Sequence, residues 1–349
     1  MAVLAMVLAV AGISMAQPAA FEVWVGNEAL DELYVLDGRT YRILATIQVD
    51  DDGKPDTSRP HWIAFSRDGR YAYVTNVRAA ANTRNLLVID AAARKIVAAL
   101  PAGPAAHAVT ASPDGRRVWV ANNGVDEISE VLVDGGSFRP GRRIASGGAA
   151  PHCVAFSRDG RTALIRHRGR VVAGQRAPGS FTLLEVESGR ILKNLETGLE
   201  GCAVELAQDG RRFFGTVGFH ATNGGENNQL MVLDTAGSVL HRAVLPLNDP
   251  QPLVQSQDGT ALWIIGRGDD KVAVLDARTY RIITTYPTPE KAQRLEFSPD
   301  GRLVFFSVRG APGGGKTPGI AIMNAATGRL LGLIPLDGDI RAIAVRALE

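Results

Sequence analysis

Ser66-Arg67-Asp68-Gly69-Arg70-Tyr71-Ala72-Tyr73-Val74-Thr75-Asn76 reads as a tight turn followed by a strand. Asp suits the third position of a type I turn and Gly supplies a positive φ at the fourth, while the β-branched and aromatic residues that follow favour a pleated strand. The pattern recurs as Ser112-Pro113-Asp114-Gly115, Ser157-Arg158-Asp159-Gly160, Ser256-Gln257-Asp258-Gly259 and Ser298-Pro299-Asp300-Gly301, with a weaker copy at Ala207-Gln208-Asp209-Gly210. The turn aspartates at 68, 114, 159, 209, 258 and 300 are spaced by 42 to 50 residues, a period that signals a solenoid or a propeller. Each period holds four strand-like runs and no helical one, as in His107–Ser112, Arg116–Asn122, Ile128–Val133 and Phe138–Ala145. Four antiparallel strands per repeat make a propeller blade.

A second count comes from the third strand of each blade: Leu33–Asp37, Leu86–Asp90, Ile128–Asp134, Phe181–Val186, Leu230–Asp234, Val272–Asp276 and Ile320–Asn324. There are seven of these against six Asp-Gly turns. The extra copy is explained if Phe21–Gly26 is a second strand lacking a first, and Ile340–Val345 is a first strand lacking a second. Together they complete a seventh blade, close the ring and hide both sheet edges. The expectation is an all-β, seven-bladed β-propeller forming a single domain over residues 17–349.

Residues 1–16 differ from the rest. Ala2 to Ile13 is almost wholly apolar and Ser14-Met15-Ala16 is a small-x-small cleavage site, which reads as a signal peptide and implies a periplasmic or secreted protein. The net charge of +2 and near-neutral mean hydropathy give no case for nucleic acid or stable membrane insertion. A monomer is expected, with a periplasmic protein or a small molecule as partner. Cys153 and Cys202 start neighbouring first strands and could pair in an oxidising compartment.

Tyr73-Val74-Thr75-Asn76, the Ser-Pro-Asp-Gly turns and the Val-x-Asp third strands resemble the YVTN family of seven-bladed β-propellers from Phe21 to about Ala347. The resemblance implies the fold, and frequent export, but no single function. Propellers of related fold include the haem d1 domain of nitrite reductase and quinoprotein dehydrogenase subunits. Copy four departs from the pattern, with Phe213-Phe214-Gly215-Thr216-Val217 in place of Tyr-Val-x-Asn.

In a blade, the start of strand one and the end of strand two share one face with the longer loops, here Asp50–Pro60, Val77–Asn85, Arg168–Ser180, Gly218–Gln229 and Arg309–Gly319. Seven residues before each turn aspartate stand His61, His107, His152, Cys202, Gln251 and Gln293, and the seventh blade offers Arg341. Beside them come Asn76, Asn122, His167 and Asn27 from the second strands, and His220 from a loop. This places a polar ring at one channel mouth. Read as a site, it is a ligand-binding mouth, with His61, His107, His152 and Cys202 as metal ligands and a transition metal, haem or quinone as cofactor. Read structurally, these side chains bond crossover loops and water.

Arg78, Arg84, Arg166, Arg168, Arg170, Arg176, Arg267 and Arg309 share that face and suit a polycarboxylate, or a solvated rim balanced by acids such as Asp126, Asp269 and Asp270. Gly310-Ala311-Pro312-Gly313-Gly314-Gly315-Lys316-Thr317 fits the P-loop pattern by letter. It is set aside because Pro318-Gly319 and a strand follow where a P-loop needs a helix. Glu205 and Glu296, three residues past the ring, are channel acids by position. No catalytic triad, paired-carboxylate or dinucleotide signature appears, so the sequence favours binding over catalysis.

Overall fold

The computed structural model describes residues 20–49, 58–78, 84–172, 175–218, 227–310 and 317–348. The expected signal peptide, His220, and residues 311–316 of the Gly-Lys-Thr run lie outside them, as does much of the long-loop sequence.

Seven four-stranded antiparallel sheets are arranged as blades of one ring. Blade 1 runs outward through Pro60–Phe65, Tyr71–Asn76, Leu86–Asp90 and Lys95–Leu100. The innermost strands of blades 2 to 6 are Ala106–Ala111, Pro151–Phe156, Val204–Leu206, Pro250–Gln255 and Ala292–Phe297. In blade 7 the innermost strand is Ile340–Ala347, paired antiparallel with Phe21–Asn27 and followed by Glu32–Asp37 and Ile43–Gln48. The two ends of the chain therefore share one sheet. The segment Arg168–Ser180, expected to be irregular, contains a small hairpin of Arg170–Val172 with Gln175–Ala177.

Each blade is covered on both faces by its neighbours, so the middle strands are buried throughout, as in Tyr71–Asn76, and read as continuous apolar runs rather than alternating ones. One apolar cluster fills each of the seven blade interfaces, for example Trp24, Leu33 and Val35 of blade 7 against Ile63, Val74 and Ile89 of blade 1. The outermost strands carry nearly all the exposed large apolar residues, among them Ile43, Ile283 and Leu331.

The turn chemistry is seen atom by atom. Ser66 Oγ donates to Asp68 Oδ1 at 2.6 Å and accepts from Tyr71 N at 2.9 Å, while Asp68 Oδ1 accepts from Arg70 N at 3.1 Å. Gly69 has φ +66, and its counterparts Gly115, Gly160, Gly210, Gly259 and Gly301 lie between +69 and +73. In copy four, Ala207 supplies no hydroxyl and Asp209 instead pairs with Arg212 at 2.7 Å. Gly215 departs from the repeat because Phe181 of blade 3 occupies its space, and a Cβ there would lie 2.4 Å from the ring.

Closure is reinforced by Glu22, buried in blade 7. It accepts from Trp24 Nε1 at 2.9 Å, from Arg94 of blade 1 at 2.9 Å and from Arg346 at 3.1 Å. Burial opposes its ionisation, but the hydrogen bonds from Arg94, Trp24 and Arg346 outweigh that and hold its carboxyl below the usual range. If the closing sheet couples the ring, Val23→Asp, which buries an unpaired charge there, lowers stability by about 3 kcal/mol. The urea transition should shift as one unit by far-ultraviolet circular dichroism and by tryptophan fluorescence. A separate early step confined to blade 7 would show that closure is not coupled to the rest.

Candidate functional site at the channel mouth

The structure brings the predicted ring together. His61, His107, His152, Cys202, Gln251, Gln293 and Arg341, one from each blade, line a single cavity of about 420 Å³ at one end of the channel. A repeated backbone device aims them. Pro60 pairs with Asn76 and Trp62 with Thr75, which leaves His61 as an extra residue in a bulge. The same skip falls on His152, Gln293 and Arg341, and wider skips include His107 and Gln251. A bulge turns its side chain out of the strand's regular alternation, here into the mouth.

Two residues before the ring, the backbone is left-handed without glycine at Arg59 (φ +59), Ala105 (+51), Ala150 (+56), Asp249 (+51) and Lys291 (+63). Each such residue costs about 1 kcal/mol. Carboxylates from the preceding blade hold three of them: Asp31 Oδ1 accepts from Arg59 N at 2.6 Å, Asp126 Oδ1 from Ala150 N at 3.0 Å and Asp270 Oδ1 from Lys291 N at 3.0 Å. The rim acids Asp126 and Asp270 thus fix backbone as well as balancing charge.

A hydrogen-bonded belt runs around much of the mouth. Arg341 and Arg59 pair with the buried Glu28 at 3.1 and 2.9 Å, and Glu28 in turn meets His61 Nδ1. His61 Nε2 lies 2.9 Å from His107 Nε2, and His152 Nδ1 donates to the Cys202 carbonyl at 2.7 Å. Across the ring, Gln293 Nε2 donates to Gln251 Oε1 at 3.0 Å, and Arg267 pairs with Asp249 at 2.6 Å. Burial pushes all three histidines below the ordinary imidazole range, His107 and His152 well below, so they are neutral at pH 7; for His61 burial outweighs the opposing pull of Glu28.

The metal set is not assembled as the sequence suggested. The imidazoles of His61, His107 and His152 lie tilted against one another, with centroids 4.3 and 3.8 Å apart, and two of their nitrogens face each other across 2.9 Å, a spacing that leaves no room for an ion between them. Burial pushes the Cys202 thiol up to about 12, so it is not a thiolate at pH 7. Among the described residues no three His, Cys, Asp or Glu side chains form a metal-binding group. Nor do the cysteines pair: both are free and buried, and Cys153 Sγ donates to the Cys202 carbonyl at 2.9 Å.

The second-strand residues lie beneath the mouth. Asn76 Nδ2 donates to Val49 O at 3.1 Å, Asn122 Oδ1 accepts from Gly103 N at 2.8 Å and Asn27 Nδ2 donates to Asp337 O at 2.9 Å, each pinning a crossover into its blade. His167 is fully buried beside Ser180 Oγ, 3.2 Å away, and burial lowers its pKa to about 3. Arg166 is buried among carbonyls of Thr216, Ser180 and Leu199 and over Phe181, a structural role.

What the sequence reading missed is the arginine at the centre. The mouth is lined by Arg59, Arg168, Arg267, Arg294, Arg309 and Arg341, with Glu28 the only acid among the lining residues. Arg294, one residue past the ring, stands where other blades carry Trp62, Ala108, Cys153, Ala203, Pro252 and Ala342. That break in an otherwise uncharged column was the available signal. Beyond Arg294 lies a second chamber lined by Glu205 and Glu296. Burial, reinforced for Glu205 by the Glu296 charge, raises these carboxyls to about 8 and about 7, and the nearby Arg294 only partly opposes this at Glu296.

Fold and mouth define the class: a seven-bladed β-propeller with an arginine-lined channel opening. No family model matches the chain. It is 27% identical to NirF of Pseudomonas aeruginosa over 340 residues, covering 79% of this chain and 80% of NirF. It is also 27% identical to the uncharacterised protein YncE of Salmonella typhi over 139 residues, where the match spans only 37% of YncE and 38% of this chain. Among solved structures it is similar to hydrazine synthase of Kuenenia stuttgartiensis (TM-score 0.67, 18% identity, covering 96% of this chain and all of that one). It is likewise similar to the dihydro-haem d1 dehydrogenase NirN in complex with DHE (TM-score 0.62, 20% identity, covering 93% and 74%). These structural likenesses establish the fold.

Two stability measurements test this account. Ala150→Gly relieves the left-handed strain and raises stability by about 1 kcal/mol in urea; a loss would mean the backbone is unstrained there. Between pH 4.5 and about 8 an unfolded chain releases the Glu205 and Glu296 protons that the folded chain keeps, so stability falls across that window and levels off above it. Glu205→Gln should therefore match the parent at pH 4.5 and exceed it by about 1–3 kcal/mol at pH 8.

Proposed function

We propose that this protein is an exported ligand-binding propeller whose channel mouth holds a polycarboxylate tetrapyrrole of the haem type. The observation that carries the reading is the lining of one cavity: six arginines and one acid line it, Asp249, Asp339 and Glu200 pair with arginines of the set and leave an excess of cations, and its three histidines are neutral. Guanidinium forks match carboxylates in pairs and stay charged when desolvated. Arg267, Arg309 and Arg341 already sit in carboxylate-bonded geometry, with Asp249 and Asp339 holding them toward the opening, so little side-chain freedom is lost on binding. Arg168, Arg267 and Arg309 would take the carboxylate arms, and the neutral imidazole of His152 offers nitrogen to a ring metal. When bound, such a macrocycle would supply the metal and redox chemistry; the chain's own groups orient it and shield one of its faces. Relatedness to NirF and the NirN fold in complex with DHE support this ligand class. The apolar leader ending at Ala16 supports export, and no helix among the described residues is long and apolar enough to cross a membrane.

The test is an absorption titration of the full chain with haem and with metal-free coproporphyrin. Both should bind, and Arg267→Met with Arg309→Met together should weaken both at least about tenfold, or 1.4 kcal/mol. His152→Ala should remove the haem-specific spectral change and spare coproporphyrin. Absence of binding by either pigment, or equal binding by the arginine variant, would refute the reading.

A further inference from the structure

The second chamber, about 390 Å³, lies on the far side of Arg294 and reaches Pro113 of a tight turn, so it belongs to the face opposite the mouth. Its size is within the range of small-molecule pockets. Its walls are mostly apolar, from Ile63, Val204, Leu253, Leu295 and Ile343, with polar groups at Thr110, Glu205 and Glu296.

Arg294 is the unexplained group. Only 8% of it is exposed, yet its side chain makes no hydrogen bond or ion pair with any described residue, and its Nε is buried without a partner. Its guanidinium lies over the ring of Trp62, with Cζ 3.5 Å from the centroid. A stacked guanidinium gains about 1–2 kcal/mol from the ring, which does not replace five hydrogen bonds. Arg166 shows what a satisfied buried arginine looks like here, with carbonyl acceptors on several sides. Glu205 Oε2 also lacks a partner. A buried cation and a carboxyl, both unsatisfied and lining one cavity, lack a shared third party.

We propose that the inner chamber binds a small organic monocarboxylate, its head paired with Arg294 and accepting hydrogens from the Glu205 and Glu296 carboxyls, its apolar body against Val204, Leu253 and Leu295. The charge argues for a monoanion. With both acids protonated, Arg294 leaves the chamber one positive charge; the thiols of Cys153 and Cys202 near it are kept neutral by burial, and Glu28 is engaged by Arg59, Arg341 and His61. The apolar walls argue for an organic body rather than an inorganic ion. The sign of the pH dependence follows. As pH rises through about 7 and about 8, Glu296 and Glu205 ionise, add negative charge beside Arg294 and repel the ligand.

Calorimetric titration of the full chain with benzoate tests this. At pH 6.5 benzoate should bind at one site, and at pH 9.0 its affinity should be at least roughly tenfold lower. Glu205→Gln with Glu296→Gln should keep binding and abolish the pH dependence, and Arg294→Met should lose binding at least roughly tenfold. The mouth variant Arg267→Met with Arg309→Met should leave benzoate affinity unchanged, which separates this site from the tetrapyrrole mouth. Equal binding of benzyl alcohol, a pH-independent parent, or loss through the mouth variant alone would overturn the proposal. Should Arg294→Met not fold, the pH profiles of parent and double-Gln protein still decide it.

Discussion

The constraint on which the mouth depends is the register of seven innermost strands. Two residues past each ring position stands a branched apolar side chain: Ile63, Val109, Val154, Val204, Leu253, Leu295 and Ile343, every one of them buried. A slip of one residue would turn such a side chain out of its blade interface and send the ring residue elsewhere, because side chains alternate along a strand. Burial of each anchor contributes on the order of 2 kcal/mol. Seven such anchors, repeated around a closed circle, make the level of the polar ring a property of the core rather than of the loops above it.

The fold was legible because its signals are local and repeated. A serine, an aspartate and a glycine make the same turn five times over, and the unmatched third strand beginning at Leu33 revealed where the circle must be joined. The ring was legible for the same reason, as a fixed offset from those turns. What could not be read is how neighbouring side chains use one another. His61, His107 and His152 lie at one level, but their nitrogens serve each other, Glu28 and backbone carbonyls. The left-handed residues that precede them are Arg59, Ala105 and Ala150, types that give no warning of a positive φ. Arg294 was visible as a letter, but its isolation is a three-dimensional fact.

Two buried arginines, Arg166 on a second strand and Arg294 on the channel wall, show how one chemical group takes opposite roles. Arg166 is enclosed by carbonyls and the face of Phe181, and burial lowers its pKa to about 9. Gly201 exists to admit it, since a Cβ there would lie 1.8 Å from the guanidinium. Arg294 has a stacking partner and two cavities. Carbonyls meet the guanidinium of Arg166, whereas that of Arg294 opens on the two cavities, so the midpoint of the channel is the place where solvent or a guest must complete the bonding.

The seam of the ring also has a mechanical character. Phe21 and Ala347 are partners at the same end of the closing ladder, and Leu348 N still bonds Ala20 O beyond them at 2.8 Å. Tension applied to the two ends of the chain therefore loads those hydrogen bonds one after another, as in a zip, instead of sharing the load among them in shear. A ring joined at one sheet is thus built to part under pulling at a single line, with the remaining six blades still stacked when it begins to open.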